Sequence, residues 1–151
     1  MRMNKVLGVA MLVAVVGSMI VVGASDSASV NASFSIPSWI SLSIQGNGDV
    51  SFANITGPGK YNGSNSTQLR VLSTTDWAIT SEIVFKDSEM PKGVEESVIE
   101  KALSFDFNQT EGSWGIHTVN VSYGFEVDED DMGALPEGDY NLVVQYTATT
   151  D

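Results

Sequence analysis

The clearest alternation of apolar and polar positions lies at the end of the chain. Tyr140, Leu142, Val144, Tyr146 and Ala148 share one phase, and Asn141, Gln145, Thr147 and Thr149 share the other, with Val143 the exception. Successive strand side chains point to opposite faces, so this pattern predicts a half-buried strand. It leaves directly from the turn Leu135-Pro136-Glu137-Gly138, and a strand this regular needs earlier strands to pair with.

The chain supplies them. Val30, Ala32, Phe34 and Ile36 alternate with Ser29, Asn31, Ser33 and Ser35. Pro37 interrupts that segment, because proline gives no N–H to a ladder. Ile40, Leu42 and Ile44 resume the pattern, and Gly46-Asn47-Gly48-Asp49 predicts a hairpin into a return strand bearing Val50 and Phe52. Residues Gly57 to Thr67 read as a polar loop. Strands are then expected around Leu69 and Val71, from Trp77 to Phe85, across Leu103, Phe105 and Phe107, and from Val119 to Val127. Val94, Val98, Ile99 and Ala102 recur at helical spacing, which predicts one short helix over Gly93 to Ala102. The acidic stretch Asp128 to Glu137 reads as a hairpin loop into the last strand.

Together these elements predict an all-β protein, an antiparallel sandwich of seven to nine strands with one short helix. The segment Leu135-Pro136-x-Gly138-x-Tyr140 resembles the tyrosine corner of immunoglobulin-like and fibronectin-type domains, in which the tyrosine hydroxyl ties a loop to the following strand. That resemblance implies an immunoglobulin-like sandwich. In those domains the tyrosine opens the penultimate strand, whereas Tyr140 opens the last one here.

Residues 1–24 stand apart from this pattern. Arg2 and Lys5 precede an uncharged apolar run from Val6 to Val22, and Val22-Gly23-Ala24 offers small residues to a signal peptidase. The expectation is a cleaved secretory signal, with an uncleaved anchor spanning a membrane through residues 6–22 as the alternative. Residues 25–151 then form one exported domain. It carries five basic against 19 acidic side chains, a net charge of −14. Nucleic acid, whose phosphates need lysine and arginine, is excluded as a partner on that balance. There are no cysteines, so the domain must fold without disulfides.

Six Asn-x-Ser/Thr triplets begin at Asn31, Asn54, Asn62, Asn65, Asn108 and Asn120. Chance placement among eight mature asparagines gives about two, so the excess predicts N-linked glycans. Sequons, a short leader and no cysteines together suggest an archaeal cell surface. Asp128, Asp130, Asp131 and Asp139 could gather around calcium, although Met132 stands where an oxygen ligand is wanted. No other cofactor is indicated. His117 is the only histidine, and neither a Gly-x-Ser-x-Gly elbow nor a phosphate loop accompanies it, so no enzyme is expected. Of the three tryptophans, Trp77 reads as core, while Trp39 and Trp114 sit near turns.

The whole-chain pattern also resembles the small exported β-sandwich proteins of archaeal and bacterial surfaces, including subunits of donor-strand filaments. The resemblance implies a glycosylated surface or filament subunit that associates with itself or with other surface proteins. Val30, Ala32, Phe34 and Ile36 would be the donated strand. The alternative is a monomeric surface module that binds carbohydrate or protein.

Overall fold

The computed structural model describes residues 26–46, 48–53, 55–86 and 89–150. The leader and the sequon at Asn54 lie outside those residues. No helix among the described residues is long and apolar enough to cross a membrane. The chain divides into two units, Met1–Ser35 and Ile36–Asp151.

In the first unit, residues 26–35 lie in no helix or strand and are exposed throughout. The strand expected over Ser29–Ile36 is therefore absent from the structure. Alternation fixes which face of a segment wants burial, but only a neighbouring backbone turns it into a strand.

The second unit is built of antiparallel strands: β1 (Ile40–Gln45), β2 (Gly59–Asn62), β3 (Thr67–Ser73), β4 (Trp77–Phe85), β5 (Leu103–Phe107), β6 (Glu111–Gly112), β7 (Gly115–Val127) and β8 (Leu142–Thr150). Helix α1 (Glu96–Ala102) precedes β5, and α2 (Glu129–Gly133) joins β7 to β8. One sheet runs β1-β3-β7-β2, with β5 also paired to β7; the other runs β6-β4-β8. Strand β7 organises the first sheet. Its 13 residues pair β3 through Gly115–Val121, β2 through Gly124–Val127 and β5 through Val121–Phe125.

The predicted strand faces hold. Leu69 and Val71 of β3, Val119, Val121 and Tyr123 of β7, and Trp77 and Ile79 of β4 form the buried cluster. Val144, Tyr146 and Ala148 of β8 pack against it half-buried. The outward phases of β1, β3 and β7 are mostly serine, glutamine, threonine and asparagine, with Leu72 and Ile116 as apolar exceptions.

Three predicted connections differ. The chain does not return along β1 after Gly46, although that glycine does take a left-handed φ of 78°. Strand β1 pairs instead with β3, setting Leu42 opposite Val71 and Ile44 opposite Leu69. Residues 48–53 form no strand; the Ser64 N–H bonds the Ser51 carbonyl at 2.8 Å, and Val50 and Phe52 turn toward the core. Pairing with β3, whose inward-facing Leu69 and Val71 are fully buried, outweighs local turn chemistry, because burying apolar side chains contributes more free energy than one turn does. The expected loop over Gly57–Thr67 contains β2. The acidic stretch is not a hairpin, since β8 pairs β4 over all nine residues and α2 carries the chain from one sheet to the other.

Candidate functional site

Two loops are tied to the strands that follow them in the same way. The Tyr140 hydroxyl donates to the Pro136 carbonyl at 2.6 Å, four residues upstream, as the corner-like segment predicts. The Tyr61 hydroxyl donates to the Gly57 carbonyl at 2.7 Å, at the same spacing. Each tyrosine stands two residues after a glycine of high positive φ, 153° at Gly59 and 155° at Gly138. A side chain disfavours that backbone, and a Cβ on Gly138 would also lie 2.5 Å from Pro91 Cγ. The shared Gly-x-Tyr spacing was the signal for the second tie, and sequence reasoning missed it.

The sequons acquire a common direction. Asn120 sits on the outward phase of β7, between buried Val119 and Val121. Asn108 follows β5, and its Oδ1 accepts the Asn120 N–H at 2.7 Å, which leaves its Nδ2, the atom a glycan would be joined to, uncommitted by that bond. Asn62 pairs with Gly124, in the same phase of β7 as Asn120. Asn62, Asn108 and Asn120 therefore project from one face of the five-stranded sheet. Asn65 lies exposed in the adjoining turn, its Nδ2 3.4 Å from the Asp49 carbonyl. The outward residues of β4 and β8 include no sequon. Asn31 is exposed in the first unit.

The same outer face has an apolar end. Leu72 and Ile116 are register partners there, Trp39 directly precedes β1, and Trp114 directly precedes β7. Trp114 is 73% exposed and Ile116 62% exposed. Trp77, by contrast, is buried, and its indole N–H donates to the Ser113 carbonyl at 3.0 Å. His117 Nε2 lies 2.8 Å from that carbonyl oxygen, with its ring 5.2 Å from the Trp77 ring. These contacts give His117 a packing role.

The acidic segment is organised around a lysine. Asp128 caps α2, its Oδ1 accepting from the Asp131 N–H at 2.8 Å. The Lys101 ammonium of α1 lies 2.7 Å from Asp131 Oδ2 and 3.6 Å from Asp128 Oδ2. The Asp131 N–H, and then the Lys101 charge, hold the Asp128 carboxyl below its usual range. The bond to Asp131, and then the Asp128 charge, raise Lys101 above its own. Asp130 and Asp139 are exposed and are not brought to this pair. No group of three or more metal-ligating side chains suited to an ion occurs among the described residues.

A groove of about 1280 Å³ opens between the sheets. Val50, Phe52 and Phe125 line it from one side of the fold, and Leu142, Val144 and Tyr146 line it from β8. At its base the hydroxyls of Thr67, Tyr123 and Tyr146 form a chain of hydrogen bonds. Burial, reinforced by the bond to Tyr123, pushes the Tyr146 phenol far up, so it stays neutral and serves as a hydrogen-bonding group. Comparison with known protein families, curated proteins and solved structures finds no match to this chain.

Proposed function

We propose that this chain is an exported, N-glycosylated structural protein of the cell surface, an immunoglobulin-like sandwich whose copies associate through their N-terminal segments. The observation that carries the proposal is the shared face of Asn62, Asn108 and Asn120. Glycans are bulky and solubilising, so acceptors on one face of the five-stranded sheet leave the outer face of the β4–β8 sheet free of them. A subunit packed into a surface needs that division, with one side toward solvent and the other toward its neighbours. A net charge of −14 after loss of the leader suits an exposed outer surface. In this reading the Ser113 and Trp77 contacts of His117 are packing contacts, and the acidic segment is held by Lys101.

A second reading, a binding module for carbohydrate or protein, draws support from the exposed Trp39 and Trp114 beside Leu72 and Ile116. Aromatic faces stack on sugars and anchor protein interfaces. The surface-subunit reading accounts for more of the chain, because it also gives the sequons and the exposed apolar N-terminal segment a role.

Glycopeptide mass spectrometry of protein purified from its own cells tests the proposal. Glycans are expected on Asn62, Asn108 and Asn120, with a mature N-terminus at Ser25. Bare asparagines at all three positions would overturn it.

A further inference from the structure

We infer, building on the glycosylated reading above, that the oligosaccharide joined to Asn120 lies back along the outer face of the five-stranded sheet and covers its apolar end, with sugar rings against Trp114 and Ile116. Trp114, Ile116 and Trp39 stand 73%, 62% and 49% exposed at that end. The next two rows of the face, Ser43-Arg70-Thr118 and Gln45-Gln68-Asn120, are polar throughout. Apolar side chains grouped on an otherwise polar surface mark a place that something covers.

The position of the sequon selects the occupant. Asn120 and Ile116 share the outward phase of β7 and stand four residues apart, about 13 Å along an extended strand. A short oligosaccharide covers that distance without leaving the sheet. Its path is lined with hydrogen-bonding groups, since Thr118 lies between the two, with Arg70 opposite it on β3 and Ser43 opposite Arg70 on β1. The exposed Arg70 guanidinium forms no ion pair among the described residues, and its five N–H donors suit sugar hydroxyls. The opposite direction leads to Ser122 beside Asp106 and then to Glu126, which offer no apolar face to a sugar ring. Asn62 is register partner of Gly124, eight residues from Ile116 and about 26 Å away along the strand.

The platform is held in place by the fold itself. The Trp39 N–H donates to Thr74 Oγ1 at 2.8 Å, and the Trp39 carbonyl accepts the Thr74 N–H at 3.0 Å. Ser113, the residue before Trp114, accepts the Trp77 indole N–H through its carbonyl at 3.0 Å. Stacking on backbone already ordered loses less entropy than stacking on a mobile loop. An indole offers a broad apolar face to the C–H side of a sugar ring. Each such contact is weak alone, but the covalent link at Asn120 makes it intramolecular and raises the effective concentration of the sugar at the patch. A free glycan, a protein partner or a second copy has no such advantage.

Hydroxyl-radical footprinting of the protein made in its own cells, read peptide by peptide in a mass spectrometer, tests the inference. Ser122→Ala removes the sequon and keeps Asn120, Ser122→Thr keeps the sequon, and Asn62→Gln removes the acceptor at the far end of the face. Oxidation of Trp114 is expected to rise at least threefold in Ser122→Ala and to stay unchanged in Ser122→Thr and Asn62→Gln. Asn120→Gln, which removes the same glycan through the other sequon residue, should repeat the rise. Buried Trp77 is the internal reference, and thermal unfolding of each variant confirms an intact fold. Equal, high oxidation of Trp114 with and without the Asn120 glycan would mean that the sugar stands off into solvent. Equal protection would mean that a protein partner or a second copy covers the patch. Either result overturns the inference. A bare Asn120 beside glycosylated Asn62 and Asn108 overturns it alone, whereas bare asparagines at all three positions overturn the surface reading with it.

Discussion

Replacing Trp77 with alanine is expected to lower stability by about 3–5 kcal/mol, the range for removing a large aromatic side chain from a packed core. Trp77 is 1% exposed and is the largest fully buried side chain of the cluster between the sheets. It contributes three things together. Its ring fills the space between β4 and β7, its N–H bonds the Ser113 carbonyl, and it covers the face of Gly112 opposite it in register. Truncation would leave a cavity and a carbonyl with fewer donors. A domain this size is stable by only about 5–15 kcal/mol, so the variant should be close to unfolding at physiological temperature. Urea unfolding at 25 °C measures the loss. Trp114→Ala is the control, because that side chain is largely exposed, and its change should stay within about 0.5 kcal/mol. Equal costs at the two positions would contradict the placement of the core.

Gly112→Ala is expected to cost about 1–3 kcal/mol, the usual range for forcing extra volume into a packed site. A Cβ at Gly112 would lie 2.6 Å from Trp77 Cζ2 and 2.8 Å from Cε2, closer than real side chains approach. The indole is held by its own hydrogen bond and by the His117 ring, so it has little room to yield. The two changes should therefore couple strongly. In a Trp77→Ala background the clash has no partner, and adding Gly112→Ala should then cost little or even recover stability. A double-mutant cycle reads this directly. Additive costs would mean that Gly112 is needed for its backbone and not for the space it leaves.

Much of the fold was legible because alternation reports burial. The inward phases of Leu69 and Val71, of Val119 to Tyr123 and of Val144 to Ala148 follow from period two alone. Helix α1 was legible from the spacing of Val98, Ile99 and Ala102, and Tyr140 from its place after Pro136 and Gly138. What alternation does not carry is the identity of the neighbour. The hairpin expected at Gly46–Asp49 gave way to pairing between β1 and β3, and β8 crossed to β4, because these partners are chosen by burial across the whole domain. Ser29–Ile36 has the pattern of a strand without being one, for the same reason.

The candidate site was legible as a set of residues and not as a shape. The sequons were countable, but the shared face of Asn62, Asn108 and Asn120 depends on β2, β5 and β7 meeting in one sheet. The acidic segment was visible as charge, while its partner Lys101 comes from the helix before β5 and reaches Asp128 only through the packing of α1. The groove had no sequence signal, since Phe52, Phe125 and Val144 come from three distant segments.

The central claim is that the protein works as an assembled surface subunit, and electron microscopy of native protein released from its cells tests it most directly. The account predicts repeating assemblies in which subunits join head to tail. A uniform population of single, unassociated molecules would contradict it, and would favour the binding module built on Trp39 and Trp114.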